Sequence, residues 1–432
     1  LLQEVFLMSR FQNMDTRQLQ ALQAEYRKRY DGLKARKLKL NMSRGVPSPE
    51  QLDLSNGMLP CVSGDDYQAG DGVDSRNYGG VEGLAETRAL FGAMLGVSPD
   101  RVIIGCNSSL ALMHDLIARA LLLGVPGGDA PWGKTPVKFV CPSPGYDRHF
   151  AICQLFNIEM IPVAMNDDGP DMDQVERLAA GDATVKGIWC VPMYSNPTGV
   201  IYSDAVVDRF ARMQTKANDF RIFWDNAYAV HHLTAAPGRL KNILEACAEA
   251  GHPDRAFVFG STSKISFAGA GLGFVASSET NINWLKKLMN IQTIGPDKVN
   301  QLRHARFFKD FAGIQDHMKK HAELLKPKFA KVDEVLTREL GDKGIATWTK
   351  PKGGYFISLD VMEGCAKKVV AMAAAAGVAL TPAGATFPYG KDPKDRNIRI
   401  APSFPPLEEL ATAMEILAVC IQLAAVEKML NN

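Results

Sequence analysis

From about residue 100 the chain alternates short apolar runs with segments of helical length. The runs, rich in β-branched and aromatic residues, are RVIIG (101–105), VKFVCP (137–142), IEMIPVAM (158–165), KGIWCVPM (186–193), FRIFWDN (220–226), AFVFGS (256–261) and LGFVAS (272–277). Between most of them lies a helical segment, such as SLALMHDLIARALLL (109–123) or SDAVVDRFARMQTKAND (203–219). This alternation predicts an α/β protein with a mostly parallel seven-stranded sheet and helices on both faces. Upstream, residues 15–38 read as a charged amphipathic helix, and a loop rich in Gly, Pro and Ser follows over 43–80.

From about residue 303 the pattern changes. A long charged helical stretch leads to GGYFISLD (353–360), a helix near 361–376, a short strand at 378–381, NIRIAP (397–402) and a C-terminal helix. Three parts are expected: a helical segment over 1–48 that joins the small unit, a large domain over 49–310, and a smaller α/β domain over 311–432.

Composition adds mostly exclusions. The 432 residues carry 46% apolar and 22% charged side chains, and the net charge of +2 leaves no basic footprint for nucleic acid or an acidic membrane. Cys61, Cys106, Cys141, Cys153, Cys190, Cys247, Cys365 and Cys420 are scattered with no CxxC pair, so neither zinc nor a redox motif is indicated. Reduced thiols in a cytoplasmic protein are expected. No stretch reads as a bilayer span; VVAMAAAAGVAL (369–380) is too short. The opening LLQEVFL lacks a basic region and carries Glu4, so it does not read as a signal peptide. Met8 is a candidate native start, which would make residues 1–7 a cloning remnant.

Polar residues collect at the expected strand ends, where open α/β sheets bind ligands. KGIWCVPM is followed by YSNPTG with Asn196, and FRIFW by DNAY with Asp225 and Tyr228. FVFG is followed by STSK with Ser261, Ser263 and Lys264, and RVIIG by CNSS at a helix start whose free N–H groups suit an anion. One crevice is thus offered an amide, a carboxylate, a phenol, a lysine and an anion cradle. Such a set describes a pocket for an anionic, nitrogen-containing aromatic ligand bonded to a lysine.

The order SNPTG, DNAY, SxSK resembles the fold type I enzymes that use pyridoxal 5'-phosphate, and within them the aspartate aminotransferase group of class I/II aminotransferases. The resemblance spans roughly residues 40–425, and PGYDRHF, SKISFAGAG and IGPDKVNQLRH are similar to a divergent bacterial subgroup, Ic. It implies that the large domain binds the cofactor and that Lys264 is the Schiff-base lysine, its small neighbours admitting the cofactor. A desolvated lysine near positive charge has a lowered pKa, which suits a nucleophile and proton carrier. Asp225 is then the partner of the pyridine nitrogen, and Tyr228 and Asn196 hydrogen-bond the ring oxygen. Tyr146 stacks on the ring, while Ser108, Ser109 and Ser261 bind the phosphate. Tyr78 in RNYGGVEG matches a tyrosine sent into a neighbouring subunit, implying a homodimer with shared sites.

Members of the group usually carry a phosphate-binding arginine shortly after the lysine. Here ISFAGAGLGF has none and Gly271 stands nearest, so Lys298 in GPDKVNQ is the substitute expected, from this chain or a partner. For substrate, Arg399 in NIRIAPS matches the arginine that forks the α-carboxylate, a geometry lysine cannot copy. Gly45 in SRGVP matches a backbone contact to the same group. A dicarboxylic substrate needs a second cation; Arg148 is the first candidate, with Arg44 and Arg303 behind it.

The expected reaction moves the amino group of aspartate or glutamate to a 2-oxo acid. Lys264, Asp225 and Tyr228 serve other reactions of the cofactor equally well, so a β-lyase, a decarboxylase or an aminotransferase for other amino acids is the alternative. A cofactor-binding regulator is a different class, but no helix-turn-helix or basic arm is visible. GDAPWGKT (128–135) has P-loop spacing yet precedes a strand instead of opening a helix, and reads as a surface loop. His231 and His232 lack further ligand spacing and read as core or supporting residues, with no metal expected.

Overall fold

The computed structural model of the chain describes residue 11 and residues 14–431. The opening LLQEVFL and Met8 lie outside these described residues. The first helix is Thr16–Ala35. Asp15 caps it, accepting from the Gln18 backbone while the Gln18 side chain accepts from the Asp15 backbone. Strand β1 (Leu40–Asn41) follows.

The stretch expected as a loop over 43–80 contains a short helix, Pro49–Asp53, and a 3-10 helix, Asn56–Cys61. The missed signal is local: Ser48 caps the helix, Pro49 opens it and Gln51 closes a capping box.

The central sheet holds β2 (Val102–Ile104), β3 (Lys138–Ser143), β4 (Glu159–Asn166), β5 (Gly169–Pro170), β6 (Val185–Cys190), β7 (Arg221–Asp225), β8 (Ala256–Ser261) and β9 (Gly273–Ala276). Its order is β2-β9-β8-β7-β6-β3-β4-β5. All seven expected strands are present, and the eighth, β5, is a two-residue edge strand antiparallel to β4, too short for a periodic signal. β9 also runs antiparallel to its neighbours. Alternate residues of the central strands face opposite sides, and both sides are buried. Val140, Ile188, Ile222, Trp224 and Val258 enter one core, while Phe139, Trp189, Phe223, Phe257 and Phe259 enter another. That double burial is why these runs lack polar alternation.

A second unit carries β10 (Ala346–Trp348), β11 (Ile357–Val361), β12 (Val378–Ala379) and β13 (Asn397–Ile400). β10, β11 and β13 form an antiparallel sheet, and β12 pairs in parallel with β1, Leu40 opposite Val378. Leu19, Tyr26, Tyr30 and Leu40 share one core with residues of β11, β13 and the last helix. The helix Phe311–Leu340 belongs to both units: Ile314 and Met318 pack in a core of the central sheet, and Leu325, Phe329 and Val332 in the second unit.

Two readings of helices need correction. The segment 203–219 is helical only over Asp204–Arg212, because the chain then turns and Lys216 N bonds Ala179 O on its way to β7. And one helix, Leu407–Asn431, is long and apolar enough to cross a bilayer. Its most apolar 18 residues are 78% buried inside the protein, so it is apolar on all sides because protein surrounds it.

Candidate active site

Parallel register brings the chemistry to one edge. β6, β7 and β8 lie side by side, with Asp225 at the end of β7 opposite Phe259 of β8, two residues short of Ser261. The turn after β6 supplies Asn196, and the turn after β8 supplies Lys264. Gly45, Tyr146, Arg148, Asn196, Tyr228, Lys264 and Arg399 line one cavity of about 510 Å³, together with Arg44, Asp147, Phe356 and Thr381. Residues from both units therefore meet in it.

Asp225 is buried, and its Oδ2 accepts from His149 Nε2 at 3.0 Å. Oδ1 is buried with no hydrogen-bond partner. A buried carboxylate oxygen without a donor is costly, so the site calls for a ligand N–H there. Lys264 Nζ lies 5.4 Å from the centre of the Tyr228 ring and 5.9 Å from that of Tyr355. Burial lowers its pKa, Asp225 opposes the shift and Arg399 adds to it. Burial pushes the Tyr228 phenol well up, so it remains an O–H donor.

Arg399 on β13 is 6% exposed. Its Nη1 donates to Asp147 Oδ1 at 2.8 Å and to Asn196 Oδ1 at 3.3 Å, and its guanidinium lies 4.8 Å over the Phe356 ring. Gly45 sits against the tip of that ring. A Cβ at this position would stand 2.4 Å from Phe356 Cζ, so only glycine lets the backbone come this close. Arg148 and Arg44 are exposed on the cavity wall.

The three serines gather around Gly273. Ser261 is its register partner, and a Cβ on Gly273 would meet the Ser108 carbonyl carbon at 2.5 Å. Ser108 caps the helix Ser109–Leu123, and Ser261 Oγ is 2.6 Å from Ser263 Oγ. Strand β9, running backwards between β8 and β2, thus sets the helix N-terminus beside the turn that carries Lys264.

Residues 14–432 match the family described as aspartate amino-transferase. The chain belongs to that family. It is 53% identical to a putative aminotransferase of Mycolicibacterium smegmatis over 98% of this chain and 99% of the relative. It is 46% identical to an aspartate aminotransferase of Corynebacterium glutamicum, covering 97% of each. The crystal structure of an aspartate transaminase from C. glutamicum superposes with a TM-score of 0.94 at 46% identity, covering 96% of this chain and 98% of that one.

Not every expected residue of this aminotransferase reaches the cavity. Lys298, the substitute phosphate ligand, does not line it; its amine donates to Gly79 O at 2.7 Å, beside Tyr78. The Tyr78 side chain stands 79% exposed on that loop. Gly271 has Asn300 for a neighbour, whose amide donates to the carbonyls of Ala270 and Gly271. Arg303 donates to Asn300 Oδ1 at 3.1 Å and is likewise outside the cavity. In GDAPWGKT, Trp132 is buried and donates to Asp219 Oδ2, while Lys134 is exposed. Among the described residues no His, Cys, Asp and Glu group is arranged to hold a metal.

Sequence reading gave His231 a core or supporting role but missed His149, His304 and His317, which with it brace Asp225 and the lysine turn. His149 follows Tyr146 by three positions, which puts both on one helix face; the rings meet edge-on at 4.9 Å, and His149 stacks on Trp189 at 4.4 Å. His231 Nε2 donates to Lys264 O at 3.2 Å, and His317 Nε2 to Ile265 O at 2.9 Å. His304 Nδ1 donates to Asn300 O, so its Nε2 accepts from Ser266 Oγ at 2.8 Å. Only contact across more than thirty residues creates this set, so no local spacing announces it.

Burial lowers four histidines here below the ordinary 6.5: His231 to about 3, with the Lys264 charge adding, His304 to about 4, His321, whose Nε2 is 3.1 Å from His317 Nε2, to about 4, and His317 in the same direction. Unfolded chains take up these protons first, so the stabilisation is complete above pH 6.5 and is lost as pH falls toward 4. The expected loss is about 1.4 kcal/mol per pH unit for each histidine held neutral in that window. Urea unfolding at pH 7 and pH 5 checks this; replacing His304 by Gln should flatten the slope, and an unaltered slope would contradict it.

Proposed function

We propose that this aminotransferase binds pyridoxal 5'-phosphate and moves the amino group of aspartate or glutamate to a 2-oxo acid. The observation that carries the reading is the buried, unpartnered Asp225 Oδ1 in the same site as a lysine whose pKa burial lowers. A protonated pyridine nitrogen is the donor that oxygen lacks. When bound, the cofactor supplies an electron sink for the pair left at the substrate Cα. Lys264 Nζ anchors the cofactor and carries a proton at Cα. Tyr228 and Asn196 hold the ring oxygen, Tyr146 covers the ring, and Ser108, Ser109 and Ser261 hold the phosphate. His149 keeps Asp225 in place.

Arg399 takes the α-carboxylate beside the Gly45 backbone, and Arg148 takes the distal one, with Arg44 next to it on the cavity wall. Tyr78, exposed on its loop, reaches the phosphate of a second copy in a homodimer, and Lys298, buried beneath it, holds that loop through Gly79 O. Adding L-aspartate to the holoenzyme should shift its visible absorbance and release oxaloacetate. Arg148→Ala should cost aspartate about 10- to 10²-fold in kcat/KM and cost alanine far less, since a charge-assisted pair is at stake for the dicarboxylate alone. Equal losses for both would remove Arg148 from the role. An aspartate that leaves the spectrum unmoved would remove the acidic substrate.

A further inference from the structure

Arg399 already holds an acidic partner, and its hydrogen-bond inventory decides what a substrate has to do. A guanidinium offers five N–H groups in a fixed fork. Nη1 commits both of its hydrogens, one to Asp147 Oδ1 at 2.8 Å and one to Asn196 Oδ1 at 3.3 Å. On the side edge, Nε and Nη2 face Thr381 Oγ1 at 3.4 and 3.3 Å. The Phe356 ring lies against one flat face. A carboxylate held in two-pronged fashion needs two parallel N–H groups from one edge. With Thr381 on the side edge, the end of the fork, Nη1 with Nη2, is the remaining choice, and there an acceptor of Nη1 has to leave.

The two acceptors differ in freedom. Asn196 is buried in the turn after β6. The Asp147 side chain, on the first turn of the helix Asp147–Leu155, keeps 33% of its surface in solvent, so water can receive it. Two carboxylates on one nitrogen would also repel each other.

We propose that Asp147 competes with the substrate α-carboxylate for Arg399, so that recognition is an exchange of one carboxylate for another. The proposal rests on the reading that Arg399 binds substrate. Exchange keeps a buried cation from ever standing unpaired, which is the costly condition for such a charge. It also lowers affinity for every carboxylate ligand by a common factor, unlike Arg148, which separates dicarboxylates from alanine.

The test uses the holoenzyme and succinate as the probe, with affinity read by calorimetry. Asp147→Asn keeps the shape and removes the charge; Asp147→Ser removes the group. Either variant should bind succinate roughly tenfold more tightly, the scale of a partly exposed arginine–carboxylate pair. KM for both aspartate and alanine should fall by a similar factor, with kcat moving much less. If succinate binds no more tightly to either variant while Arg399→Lys weakens it, the exchange is wrong and the role of Arg399 stands. If Arg399→Lys leaves succinate affinity unchanged, the substrate role of Arg399 fails and the exchange fails with it.

Discussion

Lys264→Ala should lower amino-group transfer by at least about 10⁴-fold, because one side chain is both the anchor of the cofactor and the proton carrier at Cα. Burial lowers the pKa of the amine between the Tyr228 and Tyr355 rings, and a lowered pKa is what a proton carrier needs near neutrality. Lys264→Arg separates charge from proton transfer. Arginine keeps the positive charge but does not give up its proton in proteins, so it should be as inactive as alanine. Single-turnover measurement with L-aspartate, following oxaloacetate release, reads the effect. Activity within tenfold of the parent in either variant would mean that another group moves the proton.

Asp225→Asn should have the next largest effect. The substitution keeps the shape and the contact with His149 but removes the buried negative charge. Without it a pyridine nitrogen has no reason to remain protonated, and the stabilisation of charge at Cα is lost. A loss of about 10²–10³-fold in kcat is expected, the scale of removing one preorganised electrostatic partner. Retention of pyridoxal 5'-phosphate through gel filtration should fall as well. A variant with full kcat and full retention would show that Oδ1 meets no ligand.

The sheet was legible because its strands are buried on both faces: seven apolar runs needed no alternation to be recognised, and AFVFGS matches β8 residue for residue. The edge strand β5 was not, since two residues carry no period. Strand-end residues such as Asn196, Asp225 and Lys264 could be placed together because parallel topology sends equivalent ends to one side. What escaped was whatever depends on side-chain meeting across the chain. His317 on Ile265, Asp147 on Arg399 and Phe356 beneath that arginine are separated by dozens to hundreds of positions. Lys298 shows a related limit: its sequence position marked a basic residue near a phosphate motif, but not that a carbonyl on the Tyr78 loop engages its amine.

The helix Phe311–Leu340 also settles how the polypeptide can be divided. A cut before Phe311 would hand the C-terminal fragment Ile314 and Met318 with no sheet to cover them. The same fragment would lack Leu40, opposite which β12 is built, and the Leu19 and Tyr26 side chains that complete its core. Neither piece is a self-sufficient folding unit, so fragments for domain swaps or split reporters should aggregate unless co-expressed. Insertions into exposed turns should be tolerated where dissection is not.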